Sequence, residues 1–181
     1  MRILAVSRAA RFSPNSVERD KAIFLAVINR LQQRGDDVSL VSEDDLGFSE
    51  SQLIPGSPDD PGHPDLILTM ARQPETLQCL DSFNVACINS PKGIANCTKS
   101  HLATTMERIG TPVPPQEGSD GYWLKRGDAA AQTNGDVVYL SDRQQLVTAI
   151  QTMRSRGITD YVVSAHVVGD LVKFYGVGQG D

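Results

Sequence analysis

An α/β protein built in two parts is what this 181-residue sequence predicts: a small parallel-sheet domain over residues 1–89, then an α+β lobe over 90–181. Two observations carry that division. Through the first ninety positions short aliphatic runs alternate with helical stripes, the pattern of a parallel sheet covered on both faces. Beyond Asn89 the strand-like runs come in hairpin-like pairs around a helix instead. A hydrophobic content of 40% and a charged content of 22% are those of a globular protein that buries a real core.

Taken in order, ILAVS (3–7) reads as a first buried strand. SPNS follows, with Ser13 or Asn15 as helix cap and Pro14 suited to a first turn. Ile23, Val27 and Leu31, flanked by Phe24 and Ile28, form an apolar stripe at helical spacing, and Gly35 ends that helix. VSLVSE (38–43) is a second strand. Residues 47–64, rich in Pro, Gly, Ser and Asp, form a loop. DLILTM (65–70) is a third strand, Pro74 to Leu80 a short helix and VACIN (85–89) a fourth strand.

The second part opens with a helix carrying Leu102, Met106 and Ile109 on one face and ending at Gly110. TPVPP then forces an extended exit. GYWLKR (121–126) is strand-like, Asn134-Gly135 signals a tight hairpin, and DVVYL returns as a strand. Ser141 and Gln144 have capping-box spacing before a helix whose buried face is Leu146, Ile150 and Met153, stopped by Gly157. YVVSAHVV and DLVKFYGV pair as a final antiparallel hairpin about Gly169-Asp170.

Several function classes drop out early. A net charge of -5 argues against broad nucleic-acid or anionic-membrane binding. No apolar run approaches the roughly 20 residues of a membrane span, and MRILAVSRAARF is too short in its apolar part for a signal peptide. Cys79, Cys87 and Cys97 lack CxxC spacing, and His63, His101 and His166 are scattered. The chain therefore offers neither a disulfide framework nor a zinc site, and a reducing cytoplasm is the expected location. The first strand is followed by SRAARFSPN rather than GxGxxG, and PKG (91–93) lacks the rest of a phosphate-binding P-loop.

Three lysines invite a question. Lys99 occupies the first turn of its helix, where the macrodipole disfavours a cation. Lys125 sits inside a strand between Leu124 and Arg126, followed by the small-residue loop GDAAAQTNGD. Pattern allows both a solvated strand lysine and a partly buried cation awaiting a phosphate, with backbone N–H groups of the loop close by. Lys173, in DLVKFYGV, is open to the same two readings.

Residues 88–178 resemble the first half of an ATP-grasp fold. The segments that carry the likeness are INSPKGIANCTK, IGTPVPP, WLKRGDAAAQ, SDRQQLVTAI and YVVSAHVVGDLVKFYGV, in that order and spacing. Residues 1–88 look like the Rossmann-like domain that precedes the grasp unit in glutathione synthase and ribosomal S6 modification-like carboxylate–amine ligases. The resemblance implies that Lys99 and Lys125 contact nucleotide phosphates while the loop after Lys125 folds over them, with Lys173 a further cation. It implies that backbone groups of a hinge strand, Ser164, Ala165, His166 and Val167, hold the adenine. The family often has a glutamate in that hinge, where this chain has Ala165.

The family holds magnesium through acidic residues and an asparagine on a second lobe, whereas this sequence stops at GVGQGD. Asp181 by itself does not make a two-carboxylate site, so the resemblance implies a truncated, incomplete ATP-grasp fold with its Mg2+ ligands beyond residue 181. The expected function is the ATP-binding part of a carboxylate–amine or thiol ligase that works through an acyl phosphate. On that expectation the 181 residues alone are inactive, and the alternative is a non-catalytic nucleotide-binding or scaffolding module. The expected partners are ATP and a small carboxylate or peptide. No catalytic residue is assigned, and the oligomeric state, a homodimer included, is left open.

Overall fold

The computed structural model describes residues 1–46 and 62–174. Its first sheet is parallel and four-stranded, in the order β2-β1-β3-β4. The strands are β1 (Arg2–Ser7), β2 (Asp37–Ser42), β3 (Leu66–Thr69) and β4 (Ala86–Ile88). Its central strands are buried on both faces, as continuous aliphatic runs require. Val6 and Ile67 pack against Leu77 and Leu80 of helix α2 (Pro74–Ser82). On the opposite face Ala5 meets Phe24 and Ile28 of α1 (Val17–Gln33). Leu40 and Ile88, on the edge strands, remain about half exposed at 48% and 52%.

The second sheet is antiparallel, in the order β6-β5-β7, formed by β5 (Tyr122–Arg126), β6 (Val137–Leu140) and β7 (Tyr161–Ala165). Leu124 and Tyr122 point from β5 onto Leu146 and Met153 of helix α5 (Arg143–Ser155). Side chains alternate across a strand, so Trp123 and Lys125 stand on the opposite face. The register places Tyr139 and Ser164 beside Trp123, and Val137 and Val162 beside Lys125. Two short helices join the sheets: α3 (Pro91–Asn96), which packs on α2, and α4 (Lys99–Arg108), which packs on β7. No helix among the described residues is long and apolar enough to cross a membrane.

Several local expectations need correction. The stripe on α1 is narrower than predicted: Phe24 and Ile28 are buried, whereas Ile23 and Val27 are exposed. Neither Ser13 nor Asn15 caps that helix; a 3-10 turn (Ala10–Phe12) intervenes, Ser16 takes the cap position, and the Ser13 hydroxyl donates to Asp20. The box before α5 is displaced by one residue. Asp142 accepts from the Gln145 N–H at 2.8 Å, while Gln145 Oε1 accepts from the Ser141 N–H. Carboxylate caps compete well with hydroxyls because the charge also meets the helix dipole.

Asn134-Gly135 is not a tight hairpin. It belongs to a 3-10 turn that closes a longer connection, because the Asp136 carboxylate gathers the N–H groups of Gln132 and Thr133 and so fixes the chain locally. The predicted last hairpin is also absent among the described residues: after Ala165 the chain to Phe174 has no strand, and Leu171, Val172 and Phe174 are exposed. No apolar face of α4 is buried, and Leu102 and Ile109 are 41% and 65% exposed. The predicted loop at 47–61 and the last residues, from Tyr175, lie outside the described residues.

Candidate nucleotide-phosphate site

Lys99 reaches its place through a chain of local causes. Asn89 leaves β4 in the left-handed region, φ 57°, which asparagine tolerates, and its side-chain amide donates to the Thr69 carbonyl at 2.9 Å. Ser90 then caps α3 by accepting from the Gly93 N–H, with Pro91 in the first turn. That helix hands directly to α4, whose first residue is Lys99. The preceding loops are held by Glu43, 1% exposed, whose carboxylate accepts N–H bonds from Ala9, Arg72 and Gln73 at 2.6–2.9 Å. One side chain after β2 thus ties down the segments that follow β1 and β3.

An open cleft of about 960 Å³ is bounded by α2, α3, the start of α4 and the loop after β5, with Arg72, Asn89, Lys92, Cys97, Lys99 and Asp128 among its walls. Lys125 lies outside that lining, on the sheet face that α5 does not cover. Both lysines are half-buried, and neither ammonium has a hydrogen bond or ion pair among the described residues. Burial lowers the Lys99 pKa below its ordinary 10.5, and the nearby Lys125 charge lowers it further. A half-buried cation left unpaired in a cleft wall, with a second cation acting on it, is a place that an anion would complete.

Other charges nearby are already committed. Arg126 forks onto Asp128, with bonds of 2.6 and 3.1 Å. Asp136 is fully buried, and Arg156 donates to its carboxylate. Burial pushes the Asp136 pKa up, but the N–H of Gln132 and the donors of Arg156 and Thr133 outweigh it, so the group is held below 3.8 as a carboxylate. The small-residue loop is therefore anchored at both ends, by Arg126–Asp128 and by Asp136–Arg156.

The predicted hinge residues stand at the end of β7, and much of their backbone is occupied. The Ala165 N–H donates to the Pro115 carbonyl at 2.7 Å, and the His166 N–H to the Gly121 carbonyl at 2.8 Å. Ser164 pairs with Trp123 in the ladder, while Val167 is 59% exposed beyond it. Trp123 donates its indole N–H to Nδ1 of His166, and Tyr139 packs edge-on to both rings. The uncovered face thus carries an aromatic cluster beside Lys125. Lys173 is exposed in the irregular segment after β7, with no ion pair or hydrogen bond among the described residues.

Sequence reasoning missed Ser100, Gly127 and Asp160, which join α4 to the sheet, and the Asp136–Arg156 pair that anchors the loop. Gly127 alone left a signal, a glycine directly behind a strand.

No protein-family model and no curated protein matches this sequence. Solved structures do. D-alanyl-alanine synthetase A from Vibrio cholerae O1 biovar eltor str. N16961 aligns at a TM-score of 0.67 and 14% identity over 93% of this chain and 60% of that one. D-alanine–D-alanine ligase from Bacillus anthracis gives 0.60 at 15% identity, covering 93% and 58%. A RimK-domain ATP-grasp protein from Sphaerobacter thermophilus DSM 20745 gives 0.53 at 15%, covering 93% and 65%. The chain therefore has an ATP-grasp fold in part, an α/β parallel sheet followed by an antiparallel one, and spans about 60% of the length of the structures it resembles.

Proposed function

We propose that this chain is the ATP-binding part of an ATP-dependent ligase, with Lys99 and Lys125 facing the nucleotide phosphates. One observation carries the reading: Lys99, half-buried and unpaired among the described residues, lines the cleft with the Lys125 charge acting on it, in a fold shared with D-alanine–D-alanine ligase structures. The pair would neutralise the outer phosphates and hold them in line for transfer. A substrate carboxylate oxygen attacks the γ-phosphorus, the bond to the bridging oxygen breaks, and ADP leaves behind an acyl phosphate for an amine or thiol to attack. Base recognition falls to the residues around β7, Ser164 to Val167, with the Trp123–Tyr139–His166 face beside them. Lys173 is proposed as a further phosphate cation.

Magnesium belongs with this chemistry, but the residues described do not fit it. No three His, Cys, Asp or Glu side chains stand together as a ligand set among them. The role assigned to this chain is therefore binding and orientation of phosphates by ammonium groups. Isothermal titration of ATP into wild type, Lys99→Ala and Lys125→Ala tests it. Loss of a charge-assisted phosphate contact costs about 1.5 to 3 kcal/mol, roughly ten- to a hundredfold in Kd. Equal affinity in all three proteins would remove the basis for the assignment.

A further inference from the structure

We infer that Ser100, Gly127 and Asp160 form a clamp that holds Lys99 and Lys125 side by side for a polyphosphate; the inference rests on the nucleotide reading above. Gly127 follows β5 directly. Its N–H donates to the Asp160 carbonyl at 2.9 Å, and its own carbonyl accepts from the Ser100 N–H at 3.3 Å. The Ser100 hydroxyl donates to the Asp160 carboxylate, closing the ring of contacts. Three elements meet here: the first turn of α4, the end of β5 and the approach to β7. Lys99 is the residue before Ser100, and Lys125 stands two before Gly127, so the clamp sets how near the two ammonium groups come.

Only glycine allows this approach. A methyl group on Gly127 would overlap both Ser100 Oγ and Asp160 Oδ1. A clamp matters because the lysines repel one another and no ion pair holds either of them among the described residues. The charged groups acting on Lys99 are Lys125 and Arg126 on β5, Asp128 in the loop after it, and Asp136 before β6. Asp128 is held by Arg126, and Asp136 by Arg156. Asp160, across the clamp, is taken by the Ser100 hydroxyl. Among the described residues no acid forms an ion pair with either ammonium, and a site whose cations are fixed in advance loses less freedom when the anion arrives.

Ser100, Gly127 and Asp160 are positioning residues, and their test needs a readout that simple loss of stability would not move. The 181-residue chain and its Ser100→Ala, Asp160→Asn and Gly127→Ala variants are labelled with an amine-reactive reagent across alkaline pH, and the Lys99 modification rate is read by mass spectrometry. The same proteins are titrated with inorganic tripolyphosphate and with ATP. Loosening the clamp lets Lys99 move away from Lys125, so in Ser100→Ala the labelling midpoint rises. Tripolyphosphate binding weakens roughly two- to tenfold, the value of one or two lost hydrogen bonds. Asp160→Asn keeps an acceptor for the serine hydroxyl and stays near wild type in both measurements. Gly127→Ala shows the larger loss, and if it does not fold, Ser100→Ala decides. An unmoved Lys99 midpoint in a folded Ser100→Ala protein overturns the clamp, whether or not phosphate binds. Failure of the wild type to bind either polyphosphate overturns the nucleotide reading, while the labelling profile still judges the contact between the lysines.

Discussion

Lys99 is placed against its own interest. It is the first residue of α4, where the helix dipole repels a cation, and burial together with Lys125 lowers its pKa from 10.5. Between that lowered value and 10.5 the unfolded chain binds more protons than the folded one. Stability attributable to Lys99 therefore rises with pH across this interval, and its cost is fully present at neutral pH. Lys99→Met should accordingly stabilise the protein without nucleotide at pH 7, by about 0.3 to 1 kcal/mol from the dipole alone, and flatten the alkaline rise. Urea midpoints at pH 7 and in the alkaline range check this, and a destabilised variant at pH 7 would count against an unpaired Lys99. Such a misplaced cation is legible in a sequence because local rules say where it should not be. Ser100 and Asp160 break no local rule, and their contact joins positions 60 residues apart, so nothing in either neighbourhood announced them.

Elements were legible where periodicity decides and illegible where a single buried polar group does. The four parallel strands and the buried face of α5 follow from aliphatic spacing, and the structure has them. The turn at Asn134-Gly135 does not, because one fully buried carboxylate, Asp136, organises it through donors on both sides. Residues 171–174 show the converse: Leu171, Val172 and Phe174 favour a strand only when a partner covers them, and here they lie exposed. Helix α5 offers a measurable case, since its cap was misplaced by a single residue. Asp142 is the only side chain accepting an N–H of the first turn among the described residues of that helix. Asp142→Ala should cost about 1 kcal/mol, whereas Ser141→Ala, which leaves that bond intact, should cost no more than a few tenths. Chemical denaturation of the two variants ranks them, and the reverse order would restore the serine cap.

At the scale of the molecule the described residues bury apolar clusters on both faces of the first sheet and on one face of the second. Val6, Ile67, Leu77 and Leu80 belong to a cluster on the first, and Tyr122, Leu124, Leu146 and Met153 to the one on the second. Between them run α3, packed on α2, and α4, packed on β7, with the cleft on one side of the junction. Separate cores joined at a cleft unfold separately when the contacts across the junction are few, and that is the expectation here. The only tryptophan, Trp123, lies in the second sheet, so its fluorescence reports that unit alone. Leu124 and Ile67 are both 0% exposed, which makes them matched probes. Leu124→Ala should lose about 2 to 5 kcal/mol and lower the urea midpoint of the Trp123 signal. Ile67→Ala should lose a similar amount from the first unit, seen by far-UV circular dichroism, yet leave the Trp123 midpoint where it was. If Ile67→Ala moves both signals together, the sheets form one cooperative body, and the cleft would then be a rigid groove rather than a joint between two independently folding units.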